Sequence, residues 1–516
     1  MRSPLWLLPL MACHAPSGGV EWLDGDPARF LPAGWSSSGA TPQIEADDDT
    51  ALPDDTQQPD DTDETDPPHD GPPPRVLILI ADDFGVDSLG VYADVDDDGS
   101  PDDGRVYAPT PTLDDLCRKG LTFTRVWSAP LCSPTRAGVL TGRHPFRTGV
   151  GWAEPPYNGL GSDEQTLPRA LDAADIGAAT ANIGKWHLGS TEEFGGPDAP
   201  NLMGWDHYAG FLDGRLPSYI NWSRTEDGIT ANETGYATTV TIDDAIDWLD
   251  DRAPDEPWVL WVGFAAPHSP FHLPPAHLHS YSHLDGTPGD IIANVPAYYQ
   301  AMVEAMDSEI GRLLTWLEDN DQGDVTVIFI GDNGTPPEAV QAPFSRYQAK
   351  STLYEGGVHV PMCVWSPSVV QPGRRIHAPV QTLDIFATTL DLMGVPPEVA
   401  LPEGIAIDSV SFKSYLSEPD TAPLRTWLYT ESFNGPMPEN EGQTAWDGRY
   451  QLIRFTNSGR EELYDLYEDP LETNELLSAG ELGEEATLAY DGLVALIEGL
   501  LATGEEEEEE EAEAAP

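Results

Sequence analysis

The stretch Arg75–Asp83, RVLILIADD, decides the architecture. An apolar run with no polar alternation goes straight into two aspartates, so neither face of this strand is meant for water. Strands of that kind lie inside a sheet covered on both sides. Three more runs read the same way: Trp258–Phe264 (WVLWVGF), Val325–Ile330 (VTVIFI) and Val360–Trp365 (VPMCVW). Between them Leu167–Ala174, Thr239–Asp250 and Tyr299–Asp319 carry apolar residues at helical spacing. The alternation predicts an α/β fold with a large, mostly parallel sheet flanked by helices. Such sheets bind ligands just beyond the carboxyl ends of their strands.

Those strand ends carry chemistry. The first strand runs into Asp82 and Asp83, the run 325–330 leads through Gly331 into Asp332 and Asn333, and the run 258–264 leads to His268. One acidic pair after a strand is usually a turn or a helix cap. Two acidic or amide pairs after two buried strands supply oxygen ligands at one end of a sheet, which suits a hard divalent cation, Ca²⁺ or alternatively Mg²⁺.

Outside this middle region the chain changes character. Among 516 residues, 89 Asp and Glu against 25 Lys and Arg give a net charge of −64, a field that excludes binding to nucleic acid. Hydrophobic residues at 40% still allow a substantial core. Residues 1–12 read as an export signal: one cation at Arg2, a short apolar run and a small residue before Cys13, with LMAC resembling the lipidation site of bacterial lipoproteins. The apolar run is too short to span a bilayer, so membrane attachment would come only through an N-terminal lipid. Residues 13–74 have the composition of a disordered acidic, Pro-rich tether, and residues 504–516, with a run of Glu from 505 to 511, that of a disordered acidic tail. The expected placement is an exported, periplasmic or cell-surface lipoprotein of a bacterium. A folded part this acidic and this poor in lysine points to a salt-rich setting.

The most specific element is Leu131–Arg143, LCSPTRAGVLTGR, which contains CxPxR as Cys132, Pro134 and Arg136. The chance expectation for that pattern in this chain is roughly 0.02. It resembles the signature of the type I sulfatases, in which the cysteine becomes formylglycine, and the likeness runs over residues 75 to about 475. Asp82 and Asp83 in LIADDFG, Lys185 and His187 in GKWHLG, His268 in PHSPFH, Asp332 and Asn333 in GDNG and Lys350 in KSTLYEGG follow in the family's order.

The resemblance implies an alkaline-phosphatase-like fold and a catalytic domain over 75–415. It also implies cleavage of sulfate esters with Cys132, Arg136, Lys185, His187, His268 and Lys350 as catalytic residues, and a Ca²⁺ (or Mg²⁺) held by Asp82, Asp83, Asp332 and Asn333 and faced by residue 132. The substrate would be a sulfated small molecule or carbohydrate, and maturation would need a formylglycine-generating enzyme. Two rivals remain: a phosphate monoester or diester hydrolase of the same architecture, and a catalytically inactive calcium-dependent surface binding protein.

Two departures from the family pattern stand out. EGG is followed by Val358 and His359 where an Arg is common, and no sulfate-facing Ser can be placed within Gly195–Arg215. His272, His277 and His279 read as cleft or surface residues. Asp94, Asp96, Asp98 and Asp102, with Gly99, follow a calcium-loop pattern that fails at Arg105, so an acidic surface insertion is expected there. Beyond residue 416 the runs Arg425–Glu431, Arg449–Phe455 and Glu462–Leu466, then the helical Glu484–Leu501, predict a smaller domain over 416–503 with an antiparallel sheet and one helix. Cys117 and Cys363 receive no role from the sequence.

Overall fold

The computed structural model describes residues 73–93, 104–320, 322–396, 400–402 and 404–514. The export signal, Cys13, the tether up to residue 72 and the Asp94–Asp102 segment lie outside the described residues.

The run that opens the domain is strand β1 (Arg75–Ala81), buried at every position. Its even members Val76, Ile78 and Ile80 face one hydrophobic core, and Leu77, Leu79 and Ala81 face another. Each fully buried side chain of this size stabilises the fold by about 1.5–3 kcal/mol. The strands that follow are β2 (Leu121–Phe123), β3 (Val126–Trp127), β4 (Ala179–Lys185), β5 (His207–Phe211), β6 (Trp222–Glu226), β7 (Ile229–Glu233), β8 (Trp258–Gly263), β9 (Thr326–Gly331), β10 (Met362–Trp365), β11 (Arg374–Ile376) and β12 (Val380–Gln381). Ten of them form one sheet in the order β11-β2-β10-β9-β1-β8-β4-β5-β6-β7. Its centre, β9-β1-β8-β4-β5, is parallel throughout, so the carboxyl ends of these strands and the loops leaving them share one edge. The helices Ala237–Asp250 and Val295–Asp319 cover one face with Ile242, Met302 and Ile310, and Cys132–Thr141 and Asp384–Leu392 cover the other with Val139, Leu140 and Phe386.

The strand read over Val360–Trp365 is present as β10, but it pairs antiparallel with both β9 and β2. Cys363 on β10 is joined to Cys117 on the helix Pro111–Lys119, which gives both cysteines a structural role.

The smaller sheet is antiparallel, with β13 (Leu428–Ser432), β14 (Gly442–Trp446), β15 (Tyr450–Phe455) and β16 (Glu461–Asp465) in sequence order. One face packs Trp446, Ile453 and Phe455 on Trp127, Leu353 and Val358 of the larger part. The other packs Leu452 and Leu463 on Leu493 and Ile497 of the helix Glu484–Ala514. That helix differs from the expected disordered tail, since it continues through the glutamate run to Ala514. Glutamate is a good helix former, and extending an existing helix avoids the cost of nucleation. Arg143 and Arg147 offset part of the charge: Arg147 Nη1 lies 2.9 Å from Glu507 Oε2, and Arg143 pairs with the same carboxylate.

Candidate active site

Every candidate site residue converges on the common edge of the parallel strands. Asp82 and Asp83 follow β1, Lys185 ends β4 with His187 two residues on, Asp332 and Asn333 follow β9, and His268 lies beyond β8. Cys132 opens the helix Cys132–Thr141, and Arg136 sits one turn further on, the spacing that stacks two side chains on one helix face. The helix stops at Gly142, in left-handed conformation (φ 72°), where a Cβ would lie 2.7 Å from the Phe386 ring. The glycine of LTGR is therefore needed both for the turn and for close packing.

A continuous set of contacts joins all ten residues. Arg136 donates from Nε and Nη2 to Asp332 Oδ2 at 3.1 and 2.9 Å, and from Nη1 to the Lys185 carbonyl at 2.9 Å. Lys185 Nζ donates to Asp82 Oδ2 at 2.6 Å. The Asp83 N–H donates to Asp332 Oδ1 at 3.0 Å, while Asp83 Oδ1 accepts from Asn333 Nδ2 at 2.9 Å and from Lys350 Nζ at 2.5 Å. His268 Nε2 lies 3.7 Å from Asp83 Oδ2. Ligand atoms of Asp82, Cys132 and Asp332 fall within 4.8 Å of one another. Cys132 Sγ is 3.2 Å from His187 Nδ1, and His187 Nε2 is 2.7 Å from the Ala153 carbonyl. A carbonyl only accepts, so Nε2 carries the hydrogen and Nδ1 presents its lone pair to residue 132. Asp83 (φ 65°) and His187 (φ 60°) both hold left-handed backbone, which costs on the order of 1 kcal/mol each and is characteristic of functional sites.

The electrostatics follow from burial. Burial raises the Asp82 carboxyl to about 8 despite Lys185 beside it. Burial also acts to raise Asp83, but Lys350 and His268 bring it down to about 2. Burial lowers His187 well below the usual histidine range and takes His268 down to about 3. The Cys132 thiol is pushed by burial up to about 11, so as a thiol it stays protonated and is a weak nucleophile.

The residues fit a divalent cation. Asp82 Oδ1 and Asn333 Oδ1 are both buried acceptors without a hydrogen-bond partner, an arrangement that costs free energy unless a ligand completes it. Asp82, Asp83, Asp332 and Asn333 offer hard oxygens, and the sulfur at 132 is the one soft atom among them; an oxygen there would make the set uniform. Three carboxyl groups face three cations, Arg136, Lys185 and Lys350, so with Asp82 ionised a divalent ion would turn a neutral cluster into a cationic one suited to an anionic group.

Other groups support the site without any sequence signal. Tyr299 donates from its hydroxyl to the Asp83 carbonyl at 2.8 Å, and Ala153 fixes the His187 tautomer. Gly214 lies against His187, because a Cβ there would come within 2.2 Å of Nε2. His272 is engaged internally: Nδ1 donates to the Pro270 carbonyl at 2.9 Å, and Nε2 lies 3.2 Å from the Tyr236 hydroxyl. His359, in place of the common Arg, pairs with Glu355 at 2.9 Å.

A parallel sheet with paired acids and amides at two strand ends and a residue presented from a helix N-terminus defines the alkaline-phosphatase-like class. The chain matches the Sulfatase family over residues 74–395 and the C-terminal N-sulphoglucosamine sulphohydrolase family over 345–489. It is 31% identical over 371 residues to the N-acetylgalactosamine-6-sulfatase of Homo sapiens, covering 66% of this chain and 65% of that protein, a little under two thirds of its length. The fold is shared with the solved structure of Ps i-CgsB (TM-score 0.69, 23% identity, 83% of this chain and 93% of that one). It is also shared with BT4656 in complex with its substrate D-glucosamine-2-N,6-O-disulfate (TM-score 0.66, 21% identity, 84% and 99%). This chain belongs to the sulfatase family.

Proposed function

We propose that the protein hydrolyses sulfate esters, releasing inorganic sulfate from an alcohol, phenol or sugar, with a formylglycine derived from Cys132 and a bound Ca²⁺ or Mg²⁺. The observation that carries this is Cys132 of CxPxR placed between the His187 Nδ1 lone pair and the oxygens of Asp82 and Asp332. The cation, held by Asp82, Asp83, Asp332 and Asn333, would polarise the sulfate oxygens and make a nearby hydroxyl more acidic. Oxidation of Cys132 would supply a hydrated aldehyde, whose two hydroxyls are better suited to attack and release than a buried thiol.

The chain's own side chains account for the rest. Arg136, bound to Asp332 and the Lys185 carbonyl, is held rigid beneath residue 132. Lys185 and Lys350 stand over the neighbouring carboxylates, where they offset negative charge building up on the sulfate oxygens. His187 Nδ1 takes the proton from residue 132 when sulfate is released, its orientation set by Ala153. Of the two groups that face Asp83, Lys350 carries the proton that the departing oxygen needs, while His268, held neutral by burial, is placed to hydrogen-bond that oxygen.

The substrate is most economically a sulfated carbohydrate, in keeping with the relatives' names and with an exported enzyme. Export is supported by the Cys117–Cys363 disulfide, a bond that persists in oxidising compartments, and the anchor would be a lipid on Cys13. A formylglycine-generating enzyme is then the maturation partner. The test pairs mass spectrometry of the peptide containing residue 132, from protein made in its native host, with sulfate release from sulfated sugars and an aryl sulfate. Formylglycine with sulfate release is expected. An unmodified cysteine with phosphate release instead would overturn the reading.

A further inference from the structure

Cations are scarce in this protein, and nearly all are committed. Among the described residues, Arg and Lys side chains pair with carboxylates or donate to backbone carbonyls, including exposed ones such as Arg118, Lys119 and Arg375. Two arginines make neither contact, Arg215 and Arg346, and both are exposed. Asp213 lies two residues from Arg215, yet its carboxylate accepts from Ser190 Oγ at 2.8 Å. The guanidinium of Arg346 has only the Tyr347 ring, 5.8 Å away, and Tyr347 is itself 81% exposed. In a chain with 89 acids and 25 cations, an arginine without a carboxylate partner is contrary to expectation.

Both belong to loops that build the site. Arg215 follows Gly214, which lies against His187. Arg346 precedes Lys350 by four residues in the loop after β9. Their parent strands β5 and β9 are the outer members of the five parallel strands, with β4, β8 and β1 between them. Four strand spacings put the ends of β5 and β9, from which the two loops leave, roughly 19 Å apart.

We propose that Arg215 and Arg346, on loops leaving opposite ends of the parallel strand set, are substrate-recognition residues, each binding an anionic group other than the sulfate that is cleaved. The substrate is therefore an oligosaccharide that carries a further sulfate or a carboxylate, and Tyr347 supplies an aromatic face beside Arg346. This rests on the sulfatase reading and narrows it. A guanidinium offers a planar fork matched to sulfate and carboxylate, and an unpaired one is free to use it. In the repulsive field of this protein, such local cations are also what would let a polyanion approach.

The experiment compares wild type with R215Q, R346Q and R215K on a sulfated tetrasaccharide bearing anionic groups on both sides of the sulfate to be cleaved and on a small aryl sulfate. In each Gln variant KM for the tetrasaccharide rises about tenfold with kcat within about twofold, the aryl sulfate kinetics do not move, and R215K recovers part of the loss. An unchanged tetrasaccharide KM in either Gln variant, or an equal rise for the aryl sulfate, overturns the proposal. Should wild type release sulfate from neither compound, the sulfatase reading fails. The rim is then judged by equilibrium binding of the tetrasaccharide: about tenfold weaker binding in the Gln variants supports it, and unchanged binding overturns it.

Discussion

Two buried charge clusters can be compared within this molecule. Around Asp83, three carboxylates meet three cations, and two acceptor oxygens, Asp82 Oδ1 and Asn333 Oδ1, are left without a partner. Around Glu355 every carboxylate oxygen is engaged. Glu355 accepts from Trp127 Nε1 at 2.7 Å and Arg125 Nη1 at 2.8 Å and pairs with His359, while both oxygens of Glu472 accept from the Glu355 N–H at 3.0 Å. The second cluster fastens the small sheet's trailing segment to the turn beyond Lys350. Burial and charge density alone do not separate a working site from a structural joint. What sets the first cluster apart is a pair of unfilled acceptors among several hard oxygen donors, the arrangement that a cation completes.

Replacement of Cys132 by Ala has the largest expected effect, a loss of sulfate release of at least about 10³-fold with little change in thermal stability, checked by ion chromatography and calorimetry. Asp332→Asn follows. It weakens the Arg136 contacts and the oxygen set together, so activity falls about 10²- to 10³-fold, and the rise in Tm on adding Ca²⁺ to chelator-treated wild type is lost. A Ca²⁺-dependent Tm shift of wild-type size in Asp332→Asn would break the comparison.

In the other cluster Glu355→Gln leaves Arg125 and His359 without a charged partner and costs about 3 kcal/mol of stability, while the Ca²⁺-dependent Tm shift survives. The pH dependence has a definite sign. Burial acts to raise Glu355, but Arg125 and His359 hold it down at about 2, so its contribution is present above pH 4.5 and fades as pH falls toward 2. Denaturant titrations of wild type should show that loss, and Glu355→Gln should not.

An effect of similar size and opposite sign belongs to Glu431, raised by burial to about 7 while it accepts from the Tyr429 hydroxyl and the Phe146 N–H. The folded protein holds that proton and the unfolded chain releases it near 4.5, so stability declines as pH rises from 4.5 to 7. Glu431→Gln should flatten that slope, worth on the order of 3 kcal/mol at most.

The legibility of the sequence followed the same division. Residues whose chemistry is local and whose spacing is fixed, such as Asp82 and Asp83 after an apolar strand or Cys132 and Arg136 one turn apart, could be read directly. Strand β4 carries Lys185 yet was not distinguished, because Thr180 and Asn182 break its apolar pattern even though both are buried. Strand β14, GQTAW, was hidden for the same reason. The Ala153 carbonyl, the Gly214 contact and the Cys117–Cys363 pairing arise only when distant segments meet, and no local pattern encodes them. Composition reports the solvation of the glutamate tail but not the helix already growing into it.

Cys132 is 1% exposed, at the base of a closed cluster. An enzyme that must hold this thiol in its own active site cannot do so once the chain has folded. On the proposed function, the editing of this cysteine therefore comes earlier than folding. The Cys117–Cys363 bridge, closing a gap of 246 residues, comes with or after it. One chain thus presents thiols to two different chemistries, and the order of folding decides which thiol each chemistry reaches.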